Sequence, residues 1–262
     1  MIIKKLTEGI SYDEVTNSYN ISFQNDSQSD IINLMAPEIY EAEFLGNVYY
    51  FGYKFKDSVP SKIRSDFIHW LKGLKETKPT DYQYREIIAK PLRVLDKLIG
   101  LKNFSLFVYP VSNRSTLVQK IIETCGMMMQ RDLRGISAEM VKNLPSMVQF
   151  DWNRFNKEFN GDDNHQKTQI YTYIENELMP KIHSLNYFSI AQNVKPKYRQ
   201  YITNYLTAGS GYEKDLMYLV QSNKILLVDD VNTTGATLSE IIRIIRNINV
   251  EAEIYVFTLL GK

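Results

Sequence analysis

The stretch KILLVDDVNTTGATL, Lys224 to Leu238, ends an apolar run in two adjacent carboxylates and follows them with small and hydroxyl-bearing residues. Ile225–Val228 reads as a short buried strand. Leu238–Asn247 (LSEIIRIIRN) carries Ile241, Ile242, Ile244 and Ile245 on one helical face and Arg243 and Arg246 on the other. Glu253–Leu260 (EIYVFTLL) reads as a second strand. Strand, loop, helix and strand in this space predict a βαβ unit with parallel strands and a right-handed crossover.

Open parallel sheets bind ligands beyond the carboxyl ends of their strands, and Asp229 and Asp230 stand at such an end. The loop from Val231 to Ala236 leads into a helix N-terminus, where unpaired N–H groups and the helix dipole favour an anion. Gly235 allows close backbone approach and Ala236 does not obstruct it. Thr233, Thr234 and Thr237 offer hydroxyls to phosphate oxygens, although Thr237 could instead be an N-cap. Two carboxylates beside a phosphate need hydroxyl donors or a cation such as Mg²⁺. A ribose 5-phosphate meets both demands, with its phosphate on the Thr/Gly loop and its ring hydroxyls on Asp229 and Asp230. Neither a G-x-x-x-x-G-K-[ST] loop nor a G-x-G-x-x-G turn is present.

Outward from this stretch, Phe104–Val111 (FSLFVYPV) reads as another buried strand and Ser115–Gln130 as the helix after it. Met127, Met128 and Met129 are read as core filler. Tyr19–Phe23 and Asn47–Phe51 suit strands, the latter after a Gly46-Asn47 turn. Ser61–Lys75 suits a helix that Gly73 weakens at its end. Glu76–Tyr84 suits a linker, and Tyr84–Ile99 a helix started or kinked by Pro91. Between residues 131 and 222, Asn160–Asn164 is a loop, Thr168–Leu185 a helix interrupted near Pro180, and Tyr198–Tyr205 either strand or helix. The pattern as a whole predicts an α/β domain built on a parallel sheet.

The chain has 262 residues and is 44% hydrophobic, enough for a sizeable core, and its net charge of +1 provides no global field for nucleic acid. A local patch is compatible with that balance. The lone Cys125 excludes an intramolecular disulfide and a cysteine zinc site. MIIKKLTEGISYDE lacks a signal-type apolar core, and no apolar run reaches the length of a membrane span. The expectation is a soluble, cytoplasmic protein that neither enters a membrane nor contacts nucleic acid directly.

The Lys224–Leu238 segment resembles the binding motif of type I phosphoribosyltransferases, enzymes that use phosphoribosyl pyrophosphate (PRPP). There, too, an apolar strand ends in two acidic residues before a Thr/Gly-rich loop; Asn232 stands where many members carry an apolar residue. More loosely, Tyr49–Lys56 and Phe107–Ser112 look like segments of the ComF-like branch, whose chains also end just after a strand like Tyr255–Leu260. That branch usually begins with a four-cysteine zinc ribbon, which this chain cannot build. The resemblance implies a phosphoribosyltransferase-like parallel sheet flanked by helices over residues 85–262. Residues 1–84 would be a β-rich extension with one helix, and 131–222 an inserted hood or lid.

It implies ligands as well: PRPP or a nucleoside 5′-monophosphate, Mg²⁺ carried with PRPP and contacted through Asp229 and Asp230, and a nitrogenous base as acceptor. Asp229 and Asp230 would take the ribose hydroxyls, and Thr233, Thr234, Gly235, Ala236 and Thr237 the 5-phosphate. Ser112, Asn113, Arg114 and Ser115 would form the pyrophosphate loop, the alternative being a capped helix N-terminus. Lys195, Lys197 and Arg199 would belong to a closing segment, the alternative being a solvated basic face. His69, His165 and His183 show no metal spacing. No side chain is required as a nucleophile, and the acidic base of 6-oxopurine enzymes is replaced by Thr233. A homodimer is common in the family. Two other functions fit the resemblance: a non-catalytic PRPP or nucleotide sensor, and an accessory protein of DNA uptake.

Overall fold

A computed structural model describes residues 3–7, 10–13, 18–21, 40–55, 57–159, 164–209 and 212–261. Asn164 of the expected Asn160–Asn164 loop opens a helix; residues 160–163 of that loop, residues 22 and 23 of the expected Tyr19–Phe23 strand, and Lys56 lie outside the described residues. Their centre is a seven-stranded mixed sheet. It is built from β4 (Tyr40–Phe44), β5 (Asn47–Lys54), β6 (Leu106–Pro110), β7 (Ser137–Lys142), β10 (Leu206–Ala208), β11 (Lys224–Val231) and β12 (Glu253–Gly261), in the order β10-β7-β6-β11-β12-β5-β4. The four inner pairings are parallel, and the outermost pairing at each edge is antiparallel. A small antiparallel sheet, β1 (Ile3–Thr7), β2 (Ile10–Asp13) and β3 (Ser18–Ile21), packs through Tyr19 onto Phe67 and Trp70, with ring centroids 5.3 and 4.7 Å away.

Strands β5, β6, β11 and β12 are largely apolar because both faces are covered. Alternate residues face alternate sides. Tyr50, Tyr53, Phe107, Leu226, Val228, Phe257 and Leu259 meet α1 (Ser61–Leu71), α2 (Asp81–Ile99) and α3 (Leu117–Met129). Tyr49, Phe51, Leu106, Val108, Ile225, Leu227 and Val256 face α9 (Ala236–Ile248) and the segment from Val148 to Leu219. That segment holds α4 (Trp152–Glu158), α5 (Asn164–Tyr173), α6 (Met179–His183), α7 (Ile190–Asn193) and α8 (Tyr212–Gln221), and the two-stranded pair β8 (Gln149–Phe150) and β9 (Ile202–Thr203).

The expected boundary at residue 84 does not divide this sheet. β5 is an eight-residue strand buried on both faces, and it pairs in parallel with β12 from the other end of the chain. Other elements shift for local reasons. Helix α2 begins at Asp81, inside the stretch read as linker, because Thr80 and Gln83 form a reciprocal capping box. Pro91 lies within α2 rather than at its start, packed over Gly52, where a Cβ would stand 2.6 Å from the proline ring. A π-turn, Ile174–Leu178, joins α5 to α6 directly before Pro180, whose missing N–H cannot close an α-turn. Tyr198–Tyr205 divides between a 3₁₀ turn ending at Tyr201 and the strand β9. Of the three methionines, Met129 and Met128 pack on the core and Met127 is exposed.

The topology also locates a crevice. From β6, the chain passes through α3 to β7 on one side; from β11 it passes through α9 to β12 on the other. The two helices cover opposite faces, so both crossovers have the same hand. β6 and β11 are neighbours, so strand order reverses between them, and ligands of open α/β sheets bind at such a reversal. No helix among the described residues is long and apolar enough to cross a membrane.

Candidate functional site

A cavity of about 970 Å³ opens at the carboxyl ends of β5, β12, β11, β6 and β7. Asp229, Asp230, Thr233, Thr234, Gly235, Ala236 and Thr237 all border it, as does Ser112. Strand β11 runs three residues further than expected and carries both carboxylates inside it. Its continued pairing with β12, through Asp229 to Thr258 and Val231 to Leu260, is what holds them there. Asp229 and Asp230 are both buried, and Asp229 Oδ1 accepts the Asp230 N–H at 2.8 Å.

Two buried carboxylates side by side need a cation, and one is supplied. Lys72, which caps the C-terminus of α1, places its Nζ 2.8 Å from Asp230 Oδ1. Burial pulls the Lys72 pKa down, but the charge and hydrogen bond of Asp230, helped by Asp229, outweigh it and hold the ammonium above its ordinary value. The Asp229 carboxyl is pushed up to about 7, chiefly by burial and then by the charge of Asp230, against the opposing pull of Lys72 and the Asp230 N–H. Burial and the neighbouring Asp230 charge therefore disfavour the ionised form of Asp229, and a cation beside the pair opposes them.

The loop after the carboxylates is fastened at both ends. The Asn232 N–H donates to the Leu260 carbonyl at 2.9 Å, and the Ser239 N–H to that of Gly235 at 2.8 Å. Gly235 is the N-cap of α9 with φ +73°, and it makes no side-chain cap. Thr237 therefore lies inside the first turn and is not the N-cap. The first amides of this 13-residue helix face the cavity without a capping side chain, which is the arrangement an anion satisfies.

A Cβ on Gly235 would stand 2.6 Å from the Phe44 ring. Gly235→Ala should therefore destabilise the fold by about 2–4 kcal/mol, from the left-handed backbone and the overpacking together. Denaturant unfolding measures it, and Phe44→Leu in the same chain should recover the part due to the ring. No recovery would place the whole effect in the backbone.

The second candidate loop is only partly at the cavity. Ser112 borders it, whereas Asn113, Arg114 and Ser115 do not. The Ser112 hydroxyl accepts the N–H groups of Arg114 and Ser115 at 3.2 and 3.3 Å, and Ser115 accepts that of Leu117 at 3.3 Å. The Arg114 guanidinium lies 6.0 Å from the Tyr187 ring centroid. Of the basic residues at 195–199, only Arg199 borders the cavity. It donates to the carbonyls of Val194 and Ala191 at 2.8 and 2.7 Å, and burial lowers its pKa. Lys195 and Lys197 lie over Tyr173 and Tyr198 instead. His69 borders the cavity, while His183 meets the Val148 carbonyl at 2.9 Å and His165 lies beside Gln169.

Lys54, Arg64, Lys142 and Tyr205 also line the cavity and were not anticipated from the sequence. With Lys72 and Arg199 they bring five cationic side chains against the three carboxylates of Asp57, Asp229 and Asp230. A chain of net charge +1 thus concentrates positive charge at one place. The periodicity of α1 was the available signal for part of this. Arg64, Ile68 and Lys72 form one i, i+4 row and Ser61, Ser65 and His69 another, away from buried Phe67, Trp70 and Leu71.

Hard carboxylate oxygens suit Mg²⁺, and the ammonium already at Asp230 marks a place that accepts a cation. Among the described residues no three His, Cys, Asp or Glu side chains converge, so an ion at Asp229 and Asp230 would need oxygens from its ligand as well. The cavity can therefore hold a polyanion that brings hydroxyls and a metal to one end and a phosphate to the other. No protein-family model matches the chain, and no curated protein matches it in sequence.

Proposed function

We propose that this protein binds PRPP with Mg²⁺ and transfers its phosphoribosyl group to a nitrogenous acceptor, releasing pyrophosphate. The observation that carries the reading is the joint placement of buried Asp229 and Asp230 and the uncapped N-terminus of α9 around one cationic cavity at the strand-order reversal. The 5-phosphate would sit on the amides and hydroxyls of 233–237, and the ring hydroxyls would donate to the two carboxylates. Asp229 and Asp230 would hold Mg²⁺ brought with PRPP, and the ion would supply positive charge against the leaving pyrophosphate.

In the transfer, the C1–O bond to pyrophosphate breaks with its electron pair leaving on oxygen. A nitrogen lone pair of the acceptor closes on C1, and the acceptor's N–H proton passes to the departing pyrophosphate. The developing positive charge lies on the sugar, near Asp229 and Asp230, while Lys72, Lys54, Lys142 and Arg199 surround the cavity where negative charge collects on the leaving group. Catalysis would come from that electrostatic arrangement and from holding acceptor and sugar in line. The cavity, at about 970 Å³, has room for an acceptor beside the sugar.

A second reading has its own support. The amides of Arg114 and Ser115 already bond Ser112, and Arg114 lies over Tyr187, so the pyrophosphate side is less provided for than the phosphate side. This favours a sensor that binds PRPP or a nucleoside monophosphate without turnover. Calorimetry with PRPP and Mg²⁺, followed by pyrophosphate release over a panel of bases, separates the two. Binding with release is expected; binding without release for any base would leave the sensor, and no binding would sink both.

A further inference from the structure

We infer that Tyr205, from the segment between residues 131 and 222, donates its hydroxyl to the phosphate bound at the N-terminus of α9. Tyr205 is 3% exposed, and its Oη is the one buried side-chain polar atom among the described residues with no hydrogen-bond partner. A buried unpaired hydroxyl costs about 1–3 kcal/mol, so such groups call for a missing partner. Tyr205 lines the same cavity, and its hydroxyl lies beside that of Thr237 without reaching hydrogen-bond geometry. The missing partner is therefore an acceptor at the first turn of α9, where the uncapped amides also need one.

The placement of the ring is built into the fold. Asn204, with φ +58°, turns the chain between β9 and β10. Its N–H donates to the buried carboxylate of Glu240 at 2.7 Å, and Arg243 donates to both Glu240 oxygens and to Asn204 Oδ1, all at 2.8–2.9 Å. An ion pair on α9 thus clamps the residue before Tyr205 onto the helix whose N-terminus the tyrosine serves. Phe188 packs against the ring in an edge-to-face contact, at 5.9 Å between centroids. Glu240, Asp229 and Arg243 are the charged groups that face the hydroxyl; burial and then the Glu240 carboxylate raise its pKa, so it stays a proton donor. A neutral donor suits a phosphate oxygen and would gain nothing from a bound cation.

This inference rests on the proposed phosphate site, and it makes the variable segment part of that site. Ribose 5-phosphate is the probe. Tyr205→Phe removes one hydroxyl and leaves the ring. The variant should melt at the same temperature as the wild type or higher, since it loses an unsatisfied group, and should bind ribose 5-phosphate about ten- to a hundredfold more weakly, as expected for a lost hydrogen bond to a charged acceptor. A lower melting temperature without ligand would mean that the hydroxyl has a partner within the protein, and would overturn the inference. So would unchanged affinity, with the phosphate site itself left standing because the wild type binds. A wild type that binds neither ribose 5-phosphate nor PRPP would overturn the functional reading and the inference together.

Discussion

Asp230→Asn is expected to weaken PRPP binding by a factor of about 100 to 1,000 while leaving the protein folded. Each hydrogen bond from a ribose hydroxyl to a carboxylate contributes roughly 1.5–3 kcal/mol, and a vicinal diol makes two. Asparagine keeps the shape but loses the charge, and it turns one acceptor into a donor that meets the hydroxyl proton head-on. The fold should tolerate the change. The lost attraction to Lys72 is offset by relief of the repulsion between Asp229 and Asp230, and the Lys72 side chain, 26% exposed, can turn to water or to Asp229. Calorimetry gives the affinity, and a thermal melt without ligand gives the control. Equal affinity for variant and wild type would remove Asp230 from the ligand's shell, and the ribose assignment with it. Weaker binding accompanied by a collapse of the melting temperature would instead assign Asp230 to the fold.

The same comparison tests what Lys72 does. In the free protein its ammonium sits where a ligand's hydroxyls or metal would go, 2.8 Å from Asp230. Lys72 precedes Gly73, whose φ of +70° ends α1 and lets the chain turn away. Binding would have to release the lysine from Asp230, and the freed ammonium would remain inside the cavity, beside a polyanion. The free-state ion pair thus gives the buried carboxylate of Asp230 a partner that a bound ligand would have to replace.

Residues 224–238 could be read without a structure because they carry local signals: apolar run, acids, small loop and helical period follow in order. The parallel pairing of β11 with β12 is likewise local, since one short crossover separates them. What could not be read depends on contacts between distant parts of the chain. β5 looks like a strand in the sequence, but nothing local says that it joins β12, over 200 residues on. Lys72 looks like an ordinary solvated helix residue; its partner Asp230 lies in another element. Tyr205 is harder still, because it follows a left-handed asparagine between two very short strands, and its site depends on Glu240 and Arg243 holding that turn. The pyrophosphate loop shows the reverse case. The family resemblance implies an anion loop at Ser112–Ser115, and the structure shows the Ser112 hydroxyl engaged with its own backbone.

Asp229→Asn should stabilise the free protein at pH 8 and leave it unchanged near pH 4, at the expense of ligand binding. The sign follows from the raised pKa. In the unfolded chain an aspartate titrates near its ordinary value of about 3.9, whereas in the folded protein Asp229 is pushed up to about 7 by burial and by Asp230. Between those values the folded state binds more protons than the unfolded state, so stability falls as pH rises through this window and levels off above about 7. Below pH 4 the carboxyl is protonated in both states and costs nothing. Each pH unit across the window removes about 1.4 kcal/mol at most, so the sum reaches roughly 2–4 kcal/mol above pH 7. Asparagine escapes this cost because it carries no charge, and its oxygen still accepts the Asp230 N–H now held at 2.8 Å. Urea unfolding of both proteins at pH 4.5 and pH 8 measures the difference. A variant no more stable than the wild type at pH 8 would show that Asp229 is ionised without penalty, and that Lys72 alone neutralises the pair. The expected gain would instead mark Asp229 as a position where the fold gives up stability to hold a charge, and in the proposed site a ligand bringing hydroxyls or Mg²⁺ would supply the partner that burial withholds.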